Sequence, residues 1–162
     1  MNLEIHKNFL DKDFFLNFKK IIIDQDFPWR FREKMTEKNN NFFFTYSFFN
    51  QSKINSEFYE IYIIPILQKL NCKSPIQIRA NLNLKNNNGK SGWHVDYDYL
   101  CKTAILYLNT CNGGTELQLK NKKKFIKSEE NKIIIFDSNT KHRGIIQTNT
   151  LTRYFLNLNY FK

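Results

Sequence analysis

Residues 153–161 read Arg153-Tyr154-Phe155-Leu156-Asn157-Leu158-Asn159-Tyr160-Phe161. Successive side chains of an extended chain point to opposite faces, so Arg153, Phe155, Asn157 and Asn159 share one side, and Tyr154, Leu156, Leu158 and Tyr160 share the other. The segment is therefore a strand with a polar face carrying a cation. Period-two alternation also marks strands at Ile76–Leu84, Thr103–Asn109, Thr115–Leu119 and Ile133–Phe136, and the aromatic run Phe42–Phe49 reads as a buried strand. Asn86–Gly92 and Asn112-Gly113-Gly114 separate strands and are expected to supply the positive φ angles of tight reversals.

Before residue 75 the texture is different. Phe14, Phe15, Phe18, Ile21 and Ile22 recur at helical spacing within Phe9–Ile23, with Asp11 and Asp13 at the start. After the break at Phe27-Pro28-Trp29 and a polar stretch through Asn39–Asn41, a second helix is expected over Ser56–Leu70. It would point Phe58, Ile61, Tyr62, Leu67 and Leu70 inward, be kinked by Pro65 and end at Asn71. Helices followed by short strands predict an α+β domain, a sheet or barrel with helices on one face. At 162 residues the chain reads as one domain, a helical support over 1–75 and a barrel core over 76–162.

Composition narrows the function. Sixteen Phe, eight Tyr and two Trp furnish a core and exclude a disordered chain. No stretch of eighteen apolar residues suggests a membrane partner, and Glu4, His6 and Lys7 interrupt any leader-like run, so a soluble, cytoplasmic protein is expected. Cys72, Cys101 and Cys111 show no CxxC spacing and fit a reducing compartment. The net charge of +10 comes from twenty Lys and only five Arg in a chain rich in the residues of AT-rich codons. The basic run Lys120–Lys127 reads as a solvated hairpin edge; a nucleic-acid partner is possible but not favoured.

Three histidines carry the chemistry to be weighed, and His6 looks incidental. In Gly92-Trp93-His94-Val95-Asp96-Tyr97 the alternation puts His94 and Asp96 on one side, where they can share a ligand. His142 follows 46 residues after Asp96, beyond the apolar strand 133–136 and the turn Asp137-Ser138-Asn139-Thr140. Two imidazoles and one carboxylate form the facial set that holds Fe(II) with open coordination positions. Arg153 lies eleven residues further on. A guanidinium pointing into a small barrel requires an anion, and its fork suits the carboxylate of a diacid cosubstrate.

Over residues 76–161 the chain resembles the Fe(II)/2-oxoglutarate-dependent dioxygenases, in particular their prolyl 4-hydroxylase-like branch. The resemblance rests on His94-x-Asp96, Tyr107-Leu108-Asn109 before Gly113-Gly114-Thr115-Glu116-Leu117, Phe136-Asp137-Ser138 before His142-Arg143-Gly144, and Arg153. It implies a double-stranded β-helix, a jelly-roll or cupin-like barrel, with His94, Asp96 and His142 as iron ligands and Arg153 on the distal carboxylate of 2-oxoglutarate. The cofactors implied are Fe(II), 2-oxoglutarate and O2, with succinate and CO2 as coproducts of C–H hydroxylation. Small Asn- and Lys-rich versions resemble those of marine phages and AT-rich bacteria, implying the cytoplasm of such a host.

Relatives often place a Tyr near the distal carboxylate on the strand that here reads Arg79-Ala80-Asn81-Leu82-Asn83-Leu84, so Asn81 and Asn83 are expected to donate in its stead. Tyr107 and Asn157 are expected as further cosubstrate contacts. Asp98 is a second carboxylate in the same stretch, expected to orient a ligand or substrate, and Asp96 argues against halogenation, for which relatives carry a small residue. Trp93, Tyr97 and Tyr99 fit either a substrate entrance or core packing. Three functions follow: hydroxylation of a prolyl or other protein side chain, the same chemistry on a nucleobase or free amino acid, and a non-catalytic cupin-like metal-binding module.

Overall fold

Asp11 begins the first helix by accepting hydrogen bonds from the backbone N–H groups of Asp13 and Phe14 at 3.0 and 3.2 Å. The computed structural model describes residues 3–33, 42–86, 89–120 and 122–162. The expected polar stretch Asn39–Asn41 lies outside them, as do Asn87 and Asn88 of the turn 86–92 and Asn121 of the basic run. Helix α1 (Lys12–Ile22) buries Phe15, Phe18 and Ile22, with Phe14 and Ile21 at the margin.

The second helix departs from its expected form. A π-helical turn, Tyr59–Ile63, precedes a short α2 (Ile64–Lys69), with Pro65 in the first turn of α2. Proline has no N–H to give and fits a helix's first turn, so the chain widens upstream rather than kinking mid-helix. The extra residue in that turn rotates the buried face: Tyr59, Ile63 and Ile66 go inward, and the expected Ile61 stays 62% exposed. Asn71 ends the helix at φ 53°, with Cys72 N–H to Leu67 O and Asn71 N–H to Gln68 O both at 3.0 Å.

The strands are β1 (Glu4–His6), β2 (Arg30–Arg32), β3 (Phe43–Asn50), β4 (Lys53–Ile54), β5 (Ser74–Leu84), β6 (Lys102–Tyr107), β7 (Gly114–Leu119), β8 (Lys122–Lys127), β9 (Lys132–Asp137), β10 (His142–Ile145) and β11 (Thr152–Phe161). They form two antiparallel sheets. The larger runs β1-β9-β6-β11-β5-β3-β2 with β4 on β3, and the smaller runs β10-β7-β8. The expected strand 103–109 stops at Tyr107 because the Asn109 side chain donates to Thr152 O and accepts from Tyr154 N–H. Strands β1, β2 and β4 are two or three residues long, too short to show alternation in sequence.

The period-two reading of β11 fixes the layers. Leu156, Leu158 and Tyr160 join Ile78, Ala80, Ala104, Leu106, Ile133 and Ile135 under the helices, and Phe18 of α1 lies 6.2 Å from the Phe48 ring of β3. Burying a side chain the size of Phe18 contributes about 1.5–3 kcal/mol. The opposite face turns toward the small sheet, where Ile105, Tyr107, Ile134 and Phe136 pack on Leu117 and Ile126. The architecture is the expected double-stranded β-helix with helices on one sheet.

Gly113 and Gly114 serve another purpose than the expected positive φ, which among the described glycines only Gly89 adopts. A Cβ on Gly114 would stand 2.1 Å from Ile126 O, and one on Gly113 2.8 Å from Ile145 O and Gln147 N. These glycines allow close backbone approach at the start of β7. Among the described residues no helix is long and apolar enough to cross a membrane, and the three cysteines are free.

Candidate active site

His94 and His142 meet as an antiparallel bridge, His94 N–H donating to His142 O at 3.0 Å and His142 N–H to His94 O at 2.9 Å. Directly opposed residues project to the same side, which brings the ring centroids to 4.3 Å. A further bond from Asp96 N–H to Ser138 O, 3.1 Å, pins the segment that follows. One ligand atom from each of His94, Asp96 and His142 lies within 4.8 Å of the others. Asp96 Oδ1 is 3.8 Å from His94 Nε2 and 3.5 Å from His142 Nε2. Two metal–ligand bonds of about 2.1 Å reach about 4.2 Å end to end, so one ion can span either pair.

The remaining polar atoms of the three side chains are held in place. His94 Nδ1 is 3.1 Å from Gly92 O, and His142 Nδ1 is 2.9 Å from Thr140 O. A carbonyl only accepts, so each Nδ1 carries the proton and each Nε2 keeps its lone pair for a metal. Asp96 Oδ2 accepts from Thr103 Oγ1 (β6) at 2.9 Å and Asn159 Nδ2 (β11) at 2.7 Å, leaving Oδ1 toward the imidazoles. Burial would raise the Asp96 pKa, but His142, the Asn159 amide, His94 and Thr103 outweigh it and hold the carboxyl below its usual range. Burial lowers the His142 pKa against the pull of Asp96, favouring the neutral ligand form. The donor set fits a divalent ion that takes nitrogen and oxygen together.

His94 and His142 also line a cavity of about 80 Å³, with Arg153, Asn157, Asn81 and Arg79 among its polar walls and Ile105 and Phe155 among its apolar ones. Arg153 is 2% exposed. Its Nη1 donates to Gly114 O and Ile145 O, both at 2.6 Å, its Nε has no partner, and its guanidinium lies 4.9 Å from the Phe155 ring centroid. Among the described residues no carboxylate forms an ion pair with it. Desolvation lowers its pKa, partly opposed by Tyr107. Asn157 Oδ1 is likewise buried without a partner. The buried cation suits an anionic ligand, while the Asn157 oxygen can be met only by a donor such as water.

The other expected contacts are placed differently. Tyr107 is not a wall of the cavity: its hydroxyl donates to Thr115 Oγ1 at 2.9 Å, Thr115 being the wall, and burial pushes its pKa up to about 12. Asn83 lies opposite Arg153 in register, off the wall, its amide without a partner. Asp98 is exposed and off the wall, because the chain bends after Asp96 and the two-residue repeat of an extended segment ends there. Trp93 packs under the Arg143 guanidinium at 4.4 Å, while Arg143 bonds Glu116. Tyr97 and Tyr99 lie 5.0 Å apart, and Tyr99 stacks on Phe161 at 6.1 Å. The exposed His6 stands 3.5 Å from Glu4 and joins no metal-ligand group among the described residues.

Sequence reasoning did not single out Thr103, Asn159, Ser91 or Arg79 for the site. Asn159 stood on the Arg153 face of β11, and that alternation was the available signal. Ser91 Oγ accepts from Gly144 N–H at 2.8 Å, closing the cavity wall beside β10.

No protein-family model and no curated protein matches the sequence. Solved structures do match the fold. A prolyl-4-hydroxylase from Pseudomonas putida aligns over 99% of this chain and 92% of its own at 13% identity, TM-score 0.68. An oxidoreductase of the 2OG-Fe(II) oxygenase family from Burkholderia pseudomallei aligns over 98% and 84% at 9% identity, TM-score 0.78. A prolyl hydroxylase from Trichoplax adhaerens, in complex with a hypoxia inducible factor oxygen degradation domain peptide fragment, aligns over 98% and 83% at 15% identity, TM-score 0.68. The chain has the double-stranded β-helix fold of these oxygenases, with a His-Asp-His set at its cavity.

Proposed function

We propose that the protein is an Fe(II)- and 2-oxoglutarate-dependent dioxygenase that hydroxylates a C–H bond, on a prolyl or other side chain of a peptide or protein, with succinate and CO2 as coproducts. The observation that carries this reading is Arg153, a buried guanidinium without a carboxylate partner among the described residues, in the same cavity as the two imidazoles. A metal-binding module has no use for that cation; a diacid cosubstrate requires it. The likeness to a hydroxylase solved with a peptide supports a peptide substrate.

His94 Nε2, His142 Nε2 and Asp96 Oδ1 would hold the iron, which with 2-oxoglutarate and O2 supplies the oxidising power that no side chain has. Thr103 and Asn159 keep Asp96 Oδ2 engaged, so the carboxylate presents one oxygen. Arg153, its Nη1 anchored by two carbonyls, would offer its remaining N–H groups to a distal carboxylate. Ile105 and Phe155 are apolar walls of the chamber and would shield a carboxylate bound by Arg153 from water.

Anaerobic titration with Fe(II) and 2-oxoglutarate tests the reading. The expected result is a weak visible charge-transfer band, lost in His142→Ala and weakened in Arg153→Met, and succinate formation in air. A protein that gives neither band nor succinate is a metal-binding module, and the proposal fails.

A further inference from the structure

Only five arginines occur in the chain, against twenty lysines, so their placement is not a by-product of a composition that favours Lys. Arg143 is paired with Glu116, and Arg153 faces the inner cavity. The other three, Arg30, Arg32 and Arg79, line a single groove of about 630 Å³ together with Phe43, Asn55 and Gln77. No Asp or Glu is among its walls, and among the described residues none of the three forms an ion pair.

The sheet register explains the convergence. Arg30 stands opposite Thr45 and Arg32 opposite Phe43, while Thr45 stands opposite Asn81 and Ser47 opposite Arg79. Opposed residues share a face, so β2 continues the cavity-facing side of the large sheet outward as a cationic edge. The groove shares Arg79 and Phe43 with the inner chamber. Arg79 is the hinge between them: its Nε is buried and has no hydrogen-bond partner. The groove of about 630 Å³ falls within the range of ligand-binding clefts, and the chamber of about 80 Å³ is a much smaller recess that adjoins it.

We propose that the prime substrate is acidic, and that Arg79, with Arg30 and Arg32 at the outer end, takes its carboxylate while the carbon to be oxidised faces the His94, Asp96 and His142 set. The inference rests on the function proposed above for where reaction occurs, but not for what binds the groove. A guanidinium fork accepts a carboxylate through two parallel N–H bonds. The other polar walls are Thr45, Ser47, Asn50, Asn55 and Gln77; the Thr45 hydroxyl donates to Ala80 O and the Gln77 amide to Asn50 Oδ1, which leaves the Gln77 oxygen and the Asn50 amide nitrogen among the atoms suited to peptide groups. Single-stranded nucleic acid would need free aromatic faces for stacking. Of the groove's two aromatic walls, Tyr46 is packed edge-on against Phe27 and Phe48, at 4.6 and 5.0 Å, which leaves Phe43 as a lone ring rather than a series of stacking platforms. The carboxylate belongs either to an acidic residue of a peptide or to a free amino acid.

Equilibrium binding, followed by NMR without iron or 2-oxoglutarate, distinguishes these sources. The probes are the blocked peptide acetyl-Gly-Asp-Pro-Gly-amide, its Asn counterpart, free L-aspartate and a hexathymidine oligonucleotide. The wild-type protein is expected to bind the Asp peptide at least tenfold more tightly than the Asn peptide. That preference should vanish in the exposed double variant R30Q/R32Q and in R79Q, and weaken in R79K, which keeps charge and loses the fork. Spectra of the free variants verify folding. Free aspartate binding as tightly as the Asp peptide assigns the carboxylate to a free amino acid; weaker binding assigns it to a peptide. Equal affinity for the Asp and Asn peptides, an acid preference that survives R30Q/R32Q and R79Q, or tighter binding of the oligonucleotide overturns the proposal. Because the measurement needs neither metal nor turnover, an acid preference without succinate formation would sink the reaction and leave the groove's assignment standing.

Discussion

Asn159 donates to Asp96 Oδ2 at 2.7 Å and to Thr103 Oγ1, its register partner on the neighbouring strand, at 2.9 Å, so one amide sets both the rotamer of the carboxylate and its second donor. Asp96 thereby keeps Oδ1 toward His94 and His142. Outer partners of this kind are worth about 10–100-fold in metal affinity. Asn159→Ala is expected to weaken Fe(II) or Mn(II) binding by about that factor in an anaerobic titration. Unchanged affinity would mean that Thr103 alone positions Asp96.

Arg153→Met removes the charge together with its two hydrogen bonds to Gly114 O and Ile145 O, so thermal unfolding of the variant accompanies the binding measurement. Charge-assisted hydrogen bonds contribute about 1.5–3 kcal/mol each, so losing a two-bond fork should raise the apparent Kd for 2-oxoglutarate by at least about 100-fold. Metal affinity should stay within a few fold, since none of the three ligands bonds Arg153. Arg153→Lys should recover part of the loss, a point charge replacing a fork. Titrating each variant first with metal alone and then with 2-oxoglutarate checks both statements.

Phe18 belongs to the layer beneath the large sheet and makes no wall of the cavity. Phe18→Ala should cost about 3–5 kcal/mol of stability by denaturant unfolding. Metal affinity of the folded fraction should not change. A drop in metal affinity larger than the unfolded fraction explains would show that the helical layer sets the site's geometry.

How far the site was legible in sequence depended on the length of regular structure around each residue. His94 and Asp96 needed only residue type and two-residue spacing, His142 its place after the apolar strand 133–136 together with the family resemblance, and ten residues of β11 made the Arg153 face unambiguous. Asp98 does not share the Asp96 side of the chain because the two-residue spacing ends with the extended segment. Ile61 failed because a π-helical turn carries one residue more than the assumed helical period. Arg30, Arg32 and Arg79 were opaque together: their shared groove depends on a three-residue strand and on register across β3, quantities set by tertiary pairing rather than by local pattern.

Two glycines that look alike in sequence should respond in opposite ways to the same methyl group. At Gly114 a Cβ would fall 2.1 Å from the Ile126 carbonyl oxygen, backbone that cannot move without parting β7 from β8. Gly114→Ala should therefore unfold the small sheet or destabilise the protein by more than about 3 kcal/mol, as overpacking against rigid atoms does. At Gly144 the nearest atoms are Arg153 Nη2 at 3.4 Å and Ser91 Oγ at 3.5 Å, both on side chains, so the fold should tolerate alanine. The methyl group would stand in van der Waals contact with Arg153 Nη2, filling space beside the guanidinium that faces the cavity. Gly144→Ala should melt within a few degrees of wild type yet bind 2-oxoglutarate several-fold more weakly. Thermal unfolding and cosubstrate titration of the two variants side by side decide the matter. If Gly144→Ala leaves 2-oxoglutarate affinity intact, the Arg153 fork does not depend on the space that Gly144 provides.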